Sequence, residues 1–382
     1  MTSRQATSAV RHVVIIAGDA ARLVDEQRLL ITEILRRRHR VTCLVQQCAP
    51  GDGEALAALH ADVAVVPQLS AARHGLIRGL SARRAVALRM MTLAPKAALI
   101  LDDVEPAGLT AGLVRAGADR IVVALGDLPR SAAGRSCDDI DRDALRATRP
   151  SLRHVSGVLV ERSHEAHRLR EAGVLPPECT VRVGPIAGVD CSIDPAPLPA
   201  PGNRPVRMLI WVQRQSDQAE AEAAVAAAAA ASDRLEVIVG GPHARALGLD
   251  RRQPTILAQH IPLDTAVATV DAVIVTGVRS ELPPLVATAL AAGRAIIAPA
   301  VRGVRLAVDD GVNGMLVPPG DRAALAAAID ALSRRPDLAA MGRASRSKAE
   351  RIFDANPILA DLCDALGLPT ARAGSPALVR AA

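Results

Sequence analysis

Aromatic side chains are almost missing from this sequence, whose 382 residues contain one tryptophan, one phenylalanine and no tyrosine. Proteins that bind single-stranded nucleic acid stack bases on aromatic rings, so this shortage argues against nucleic acid as a partner. The net charge is nevertheless +6, which favours an anionic partner. A phosphorylated ligand or the surface of an anionic membrane fits both observations.

Other absences narrow the class of protein further. The six cysteines form no CxxC pair and show no metal-ligand spacing, so we expect free thiols in a reducing compartment. The first residues lack the apolar stretch of a signal peptide, and no run approaches the roughly 18 apolar residues of a membrane span. These absences predict a cytoplasmic protein, whose contact with a membrane would be peripheral.

Short apolar runs alternate with longer segments of helical period along most of the chain. This alternation is typical of βαβ units around a parallel sheet, and 382 residues are enough for two such domains. The proline-rich stretch Asp194–Pro205 can neither continue a helix nor pair in a sheet, so we expect it to join the domains. The predicted strands are His12–Ala17, Val41–Val45, Asp62–Val66, Ala97–Leu101, Arg120–Leu125, Arg207–Val212, Leu235–Val239, Thr255–Ala258, Ala272–Thr276, Ala295–Ala298 and Met315–Val317. The predicted helices include Asp19–Arg38, Ala107–Ala116, Asp217–Ala231, Glu281–Ala292, Val304–Asp309 and Arg322–Ser333.

A basic cluster, LRRRHR at residues 35–40, ends the first predicted helix. Positive charge at this place suits the negative end of the helix dipole. The alternative interpretation is that the cluster docks on an anionic membrane.

An acidic cluster, Asp102, Asp103 and Glu105, follows the predicted strand Ala97–Leu101. Its carboxylates have two interpretations. In the first they cap the next helix, which we expect to begin near Pro106, a residue suited to a first helical turn. In the second they hold Mg²⁺ that bridges phosphates.

Five stretches match a known family in order and spacing. Asp309–Asp321 reads DDGVNGMLVPPGD and Ala291–Ala298 reads AAGRAIIA, which resemble the DGxNGxLVPPGD turn and the AxGxPVVA strand of family 4 glycosyltransferases. Leu235–Pro242 resembles the family's strand and glycine turn, and Val158–Asp190 resembles its segment ending in PNGVD. The tail segment Ala344–Leu366 is similar to the helix that crosses back to the first domain.

The resemblance implies the GT-B fold, an α/β fold with two Rossmann-like domains facing across a cleft. It also implies metal-independent, retaining transfer of a sugar from a nucleotide-diphosphate sugar, as in hexosyltransferases, with no resident cofactor. The expected segments are an N-terminal acceptor-side domain at 1–190, a linker at 191–206, a nucleotide-sugar-binding domain at 207–343, a crossing helix at 344–366 and a disordered tail at 367–382.

Sugar transfer requires that cations and N–H groups at a helix N-terminus stabilise the departing diphosphate. In the family an arginine and a lysine after the first strand of the second domain supply the cations. Here Arg214 falls on the arginine, whereas Ala219 falls on the lysine. Arg279 supplies charge from a nearby loop in one interpretation and is a solvated surface arginine in the other.

In the family two glutamates with the spacing E-x7-E hold the donor's hydroxyl groups. We align Pro283 and Gly293 with the family's proline and glycine. In this register Ser280 and Thr288 stand where the glutamates belong, and no shift restores both. A shift of one residue brings Glu281 to the first place, so Glu281 is either a donor contact or an N-terminal carboxylate of the next helix.

The N-terminal part resembles the family only in outline. The family's glycine-rich turn, where backbone N–H groups approach the donor phosphates, retains Gly18. The next residue, Asp19, either caps the following helix or places a negative charge near the phosphates. A family histidine that faces the reacting sugar falls on Gly126, and its neighbour Asp127 is either a polar substitute or an ordinary turn aspartate.

These replacements leave two main functions open. One is a retaining glycosyltransferase with an altered donor site, and the other is a catalytically inactive relative, a pseudoenzyme that acts as a partner or scaffold subunit. A different GT-B enzyme, such as a sugar epimerase or an inverting transferase, is a third. The candidate donor contacts are Gly18, Arg214, Arg279, Ser280, Glu281 and Thr288, and the candidate catalytic residues are Asp127 and Glu281.

Overall fold

The computed structural model divides into two compact units by its contacts. The first unit comprises Met1–Gly188 and Ala355–Ala382, and the second comprises Val189–Asp354. The structure describes residues 10–67, 69, 76–102, 104, 106, 108–125, 128, 141–192, 204–213, 217–231, 235–241, 243, 244, 247, 255–258, 261–277 and 282–368. The expected disordered tail lies outside these residues beyond position 368. No helix in the described part is both long and apolar enough to cross a bilayer.

Among the described residues the first unit forms a seven-stranded parallel sheet. Its strands are β1 (His12–Asp19), β2 (Arg40–Gln47), β3 (Asp62–Val65), β4 (Ala97–Ile100), β5 (Arg120–Leu125), β6 (Gly157–Val160) and β7 (Thr180–Val183). Its helices up to this point are α1 (Ala20–Glu26), α2 (Arg28–Arg36), α3 (Pro50–Ala58), α4 (Leu76–Leu93), α5 (Leu109–Arg115), α6 (Arg142–Leu152) and α7 (Ser163–Glu171). The strand order is β3-β2-β1-β4-β5-β6-β7.

The described part of the second unit contains a six-stranded parallel sheet. Its strands are β8 (Val206–Trp211), β9 (Leu235–Gly240), β10 (Thr255–Ala258), β11 (Ala272–Ile274), β12 (Ala295–Pro299) and β13 (Gly314–Val317). Its helices are α8 (Gln218–Ala231), α9 (Leu263–Ala268), α10 (Pro284–Ala291), α11 (Arg302–Ala307), α12 (Arg322–Ser333) and α13 (Leu338–Lys348). The strand order is β10-β9-β8-β11-β12-β13.

Successive side chains of each strand point to opposite faces of the first sheet, so a hydrophobic core lies on each face. Val13 and Ile15 of β1 pack in the cluster that also contains residues of α1, α2 and α3. Val14 and Ile16 of the same strand pack in the cluster formed with α4, α5, α6 and α7. Both faces of the sheet are therefore covered, which explains why its strands are continuous apolar runs in the sequence.

All the predicted strands are present, and the structure adds two. The additional strands are β6, four residues long, and β7, whose residues TVRV are half-buried or exposed at the sheet edge. The polar pattern of β7 is too weak to be recognised, whereas β6 is a buried apolar run as long as other predicted strands and is simply absent from the prediction. The helix predicted over Asp19–Arg38 is two helices, α1 and α2, which meet at the buried Gln27.

The tail segment 344–366, expected as one helix, is interrupted. After α13 come a π-helical turn at Ala349–Phe353 and the non-helical Asp354, and then α14 (Ala355–Ala365) returns to the first unit. Leu359 and Leu362 of α14 join the core cluster of α1, α2 and α3. Gly188 allows this return, since a methyl group added there would lie 2.6 Å from the Ala355 Cα atom.

A buried carboxylate anchors the start of β8. Asp271, which is 5% exposed, accepts hydrogen bonds from both terminal nitrogens of Arg204 at 2.7 and 2.6 Å. Its Oδ2 also accepts the backbone N–H of Arg207 at 2.8 Å. The bidentate geometry and the added N–H make this a strong charge-assisted contact. It fixes the point at which the chain enters the second sheet.

His12, the first residue of β1, is held by two hydrogen bonds in a position whose burial favours the neutral form of the ring. Its Nδ1 lies 2.8 Å from the Leu93 carbonyl oxygen at the end of α4, and its Nε2 lies 2.8 Å from Thr42 Oγ1. Because a carbonyl only accepts, Nδ1 carries the proton and Nε2 accepts from the Thr42 hydroxyl. Burial lowers the pKa of His12 below its ordinary value of 6.5, opposed by the Leu93 hydrogen bond and assisted by the charge of Arg40.

We expect the free energy of unfolding of the first unit to fall as the pH drops below about 6.5. Between 6.5 and the lowered pKa of His12, the unfolded chain binds a proton that the folded chain does not, so acidification favours unfolding. Above 6.5 this contribution is complete. Burial lowers the pKa of His39 as well, which adds to the slope in the same direction.

Urea unfolding followed by circular dichroism at several pH values measures this slope. His12→Gln should make it less steep. The control His167→Gln alters an exposed histidine of α7 and should leave the slope as in the parent. An equally steep slope in His12→Gln and the parent would contradict the assignment.

Candidate functional site

In each sheet the strand order reverses once, between β1 and β4 in the first unit and between β8 and β11 in the second. The helices that follow the two strands at such a reversal leave on opposite faces of the sheet. This opens a crevice at the carboxyl ends of the strands, where ligands bind in sheets of this kind. The structure therefore has two candidate sites, the β1–β4 crevice and the β8–β11 crevice.

Gly18 and Asp19 end β1 at the edge of the β1–β4 crevice. Asp19 Oδ1 accepts the backbone N–H of Ala21 at 3.1 Å, which confirms the interpretation of Asp19 as the N-cap of α1. Its Oδ2 accepts a hydrogen bond from Gln47 Nε2 at 2.9 Å. The positive end of α1 thus faces a carboxylate of the protein itself. The contact of Gly18 with donor phosphates stays a prediction.

A buried ion pair closes the floor of the same crevice. Arg22 of α1 is 7% exposed, donates to Glu26 Oε2 at 2.8 Å, and forms a second ion pair with Asp102, which follows β4. Neither carboxylate side chain is more than 16% exposed. A guanidinium buried to this degree is stable only when opposite charge compensates it.

The expectation that Asp102 caps the next helix is wrong. The helix α5 begins at Leu109, not near Pro106, and its N-cap is Gly108 in the left-handed region at φ 80°. Asp102 pairs with Arg22 instead, because a carboxylate beside a buried guanidinium gains more there than at a solvated helix end. The other two acidic residues of this cluster lie outside the described residues.

Two glycine turns form the floor of the β8–β11 crevice. Gly241 follows β9 at φ +105°, and an added methyl group would lie 2.7 Å from the Val212 carbonyl oxygen. Gly277 lies beyond β11 at φ +95°, and an added methyl group would lie 3.0 Å from Asp217 Oδ1. Glycine adopts these backbone conformations without strain. The two glycines therefore leave room for the backbone of Val212 and the carboxylate of Asp217, which pack directly against these turns.

Two carboxylates lie at the start of α8, beside this crevice. Asp217, 6% exposed, immediately precedes the helix, and Glu220 in its first turn accepts the backbone N–H of Gly277. Acidic groups are favourable at the positive end of a helix dipole. The sequence analysis missed them as site residues, although the acidic start of the DQAEAE stretch is a signal for this position.

Trp211, the one tryptophan, ends β8 at the same edge. Its Nε1 donates to Gln213 Oε1 at 2.8 Å, and its ring packs half-buried against the core that includes residues of α10. The next residue, Val212, pairs through its N–H with the Gly240 carbonyl. The side-chain amide of Gln213 is thus held at the mouth of the crevice.

Most of the predicted donor and catalytic residues lie outside the described part of the chain: Asp127, Arg214, Arg279, Ser280 and Glu281. Their roles stay predictions. Thr288 is half-buried in the second turn of α10, and Ala219, at the family's lysine position, is exposed in the first turn of α8. The helix expected from Glu281 begins instead at Pro284, since proline is suited to the first helical position.

The first part of the motif 309–321, residues 309–314, lies away from the crevice, whereas residues 318–321 follow the carboxyl end of β13. The turn 309–313 precedes β13, so it lies at the amino ends of the strands. Asn313 Oδ1 accepts the Asp309 N–H at 2.7 Å, and its Nδ2 donates to the Ala307 carbonyl at 3.0 Å. In Gly314, an added methyl group would lie 2.3 Å from the Ile296 carbonyl oxygen. These residues build the fold and do not reach the ligand edge.

Residues 208–335, about a third of the chain, match the family model described as "Glycosyl transferases group 1". The matched segment begins within β8 and contains β9 to β13 and α8 to α12, so it covers nearly the whole described sheet of the second unit. No curated protein sequence matches the chain significantly.

Several solved structures share the fold over nearly the whole chain. Anabaena HepE in complex with UDP-glucose has a TM-score of 0.64 at 16% identity, over 94% of this chain and 99% of its own. Sucrose-phosphate synthase from Thermosynechococcus elongatus has a TM-score of 0.62 at 17% identity, over 93% and 98%. The lipopolysaccharide outer core galactosyltransferase WaaB, in its apo form, has a TM-score of 0.59 at 13% identity, over 93% and 99%. The chain has the GT-B fold with two Rossmann-like domains, as the sequence predicts.

No cluster of three or more histidine, cysteine, aspartate or glutamate side chains suited to a metal ion occurs among the described residues. Asp102 in particular is engaged with Arg22. The alternative interpretation of the acidic cluster as a Mg²⁺ site thus receives no support from this residue.

Asp102→Asn should destabilise the first unit by about 2 kcal/mol, because it removes one of the carboxylates that compensate the buried Arg22. Urea unfolding measures this loss. The control Asp119→Asn breaks an exposed ion pair with Arg11 and should cost less than about 1 kcal/mol. Equal costs for the two variants would show that the Arg22–Asp102 pair does not stabilise the crevice.

Proposed function

We propose that this chain is a glycosyltransferase of family 4 that transfers a sugar, with retention, from a nucleotide-diphosphate sugar. We place the donor in the β8–β11 crevice. The observation that carries the proposal is that the match to group 1 glycosyl transferases spans the sheet containing this crevice and both of its glycine turns. The similar fold of HepE, which was solved with UDP-glucose, makes a UDP-sugar the first donor to test.

The geometry of the crevice suits an approaching diphosphate in part. The turns at Gly241 and Gly277 pack closely on Val212 and Asp217 and so shape the carboxyl ends of β9 and β11, and the N-terminus of α8 points its N–H groups toward this edge. Arg214, on the loop between β8 and α8, would supply the cation. Ser280 and Thr288, at the places of the family's glutamates, would bind hydroxyl groups of the donor without charge.

A specific observation favours the second candidate function, a catalytically inactive relative that acts as a partner or scaffold subunit. Asp217 and Glu220 already occupy the positive end of α8, and Glu220 accepts the N–H of Gly277. A diphosphate bound there would face two carboxylates and one arginine instead of two cations. Each altered contact lowers donor or transition-state affinity by about 1–3 kcal/mol.

Nucleotide binding to the full chain tests the proposal. A nucleotide that binds only the folded state should raise the free energy of unfolding by about 2.7 kcal/mol at 100 times its dissociation constant. We expect UDP, GDP or ADP to raise the melting temperature, and Arg214→Ala to abolish the increase. The control Arg207→Ala removes an exposed ion pair with Glu236 near the opposite end of β8. In this variant the nucleotide should raise the melting temperature as it does in the parent.

A turnover assay distinguishes the active glycosyltransferase from the inactive relative. Release of the nucleoside diphosphate from the sugar form of whichever nucleotide binds, lost in Arg214→Ala, supports a transferase. Binding without release supports the inactive relative. No melting shift with any of the three nucleotides at millimolar concentration would reject the donor site altogether.

Glu220→Gln should raise the affinity for the bound nucleotide diphosphate about fivefold, since it removes a negative charge at the start of α8 and keeps an acceptor for the Gly277 N–H. Isothermal titration measures this change. The control Glu222→Gln alters an exposed glutamate two residues further along the same helix and should change the affinity less. Equal effects of the two variants would place the diphosphate elsewhere.

A further inference from the structure

The helix α4 presents large apolar side chains where a surface helix ordinarily presents polar ones. Leu88 is 69% exposed and Met91 is 60% exposed. On a helix with 3.6 residues per turn, Arg84, Leu88 and Met91 share one face. Val86 and Met90, on the opposite face, are buried against the sheet. The exposed apolar residues therefore lie on the solvent side of a well-packed helix.

The neighbouring helix α5 extends this surface. It packs on α4 at Gly112, where an added methyl group would lie 3.2 Å from Met90 Sδ. Val114 of α5 is 42% exposed, and Arg115 beside it is exposed as well. We call Arg84, Leu88, Arg89, Met91 and Val114 the α4 face.

The charge around the α4 face has one sign. Residues 63–101 contain five arginines and one lysine but no aspartate or glutamate. Neither Arg84 nor Arg89 has a carboxylate partner in the described part of the chain. The helix α5 also lacks acidic residues, and Asp119 beyond it is paired with Arg11. Exposed apolar side chains among uncompensated arginines are typical of helices that lie on anionic membranes.

The basic cluster at residues 35–40 is different. The helix α2 ends at Arg36, so the cluster does lie at a helix end, as the first interpretation predicts. Arg36 and Arg37 both pair with Glu33, at 2.8 and 2.7 Å, and His39 is buried. Arg40 lies 3.7 Å from Asp62, so the charge of the cluster is partly compensated. The cluster also has no large exposed apolar residue, and so it gives a membrane less to bind than a surface that combines charge with exposed apolar side chains.

We propose that the α4 face is a docking surface for an anionic lipid membrane. Leu88, Met91 and Val114 enter the boundary between headgroups and acyl chains, while Arg84 and Arg89 contact the headgroups. The hydrogen bond between His12 and the Leu93 carbonyl fixes the end of α4 to β1, so the helix is held on the domain while it docks. This proposal is independent of the proposed transferase activity.

Cosedimentation of the full chain with vesicles tests the proposal. We expect binding to vesicles of equal parts phosphatidylcholine and phosphatidylglycerol at low ionic strength, weaker binding at high salt, and none to phosphatidylcholine alone. Leu88→Glu should lower the partition coefficient more than about tenfold. Arg84→Gln and Arg89→Gln should each lower it about fivefold.

Two control variants test whether a change of charge elsewhere on the chain also weakens vesicle binding. Val312→Glu places the same charge at an apolar residue 57% exposed in the second unit, and Arg38→Gln removes an exposed arginine of the 35–40 cluster. Both should bind vesicles like the parent, and all variants should keep the parent's melting temperature because the altered side chains are exposed.

Three outcomes would overturn the proposal. The first is no binding of the parent to the anionic vesicles. The second is binding that Arg38→Gln weakens and Leu88→Glu does not. The third is a parent that sediments as a dimer without lipid and that Leu88→Glu converts to a monomer, which would make the α4 face a contact between copies of the chain.

Discussion

Every strand in both described sheets is parallel to its neighbours, so each connection must cross a face of the sheet before the next strand begins. Helices consequently cover both faces, and the strand order must reverse where the chain changes from one face to the other. The crevices between β1 and β4 and between β8 and β11 follow from this requirement. This parallel arrangement also determines which strands are buried. It places the glycine turns and the charged residues near the carboxyl ends of the strands.

Carboxylates of the protein lie near the N-termini of helices in both crevices, and this distinguishes them from an ordinary phosphate-binding site at a helix N-terminus. In the first, Asp19 caps α1 and Asp102 compensates the buried Arg22. In the second, Asp217 and Glu220 lie at the start of α8. The protein thus provides anions of its own at the helix ends where ligand phosphates would otherwise bind. Ala219, exposed in the first turn of α8, adds no cation that would offset these carboxylates.

Pairing of arginines with nearby carboxylates also decides which basic surface is available to a partner. The arginines near residue 36 share a glutamate with low exposure, whereas those of α4 lie in a stretch of chain without any acidic residue. A run of positive residues is conspicuous in a sequence, but its effect at a surface depends on the carboxylates within a few ångströms. The less conspicuous arginines of α4 are the ones with exposed apolar neighbours.

Local pattern was sufficient for the fold. Apolar runs long enough to be buried on both faces predicted eleven strands that the structure contains, and Asp19 predicted the start of α1 through its own side chain. The same reasoning missed the buried β6 and also β7, whose edge position leaves it polar. It merged α1 with α2, because the break at Gln27 does not change the helical periodicity of the sequence. Its two interpretations of Asp102, as a cap and as a Mg²⁺ ligand, both left out the pairing with Arg22, because nothing near Asp102 in the chain reveals an arginine eighty positions away. Pairings of this kind, the contact of Glu220 with Gly277, and the face on which α4 meets solvent depend on segments that only folding brings together. The strand pattern is therefore a property of the sequence, and the chemistry of the crevices is a property of the packed chain.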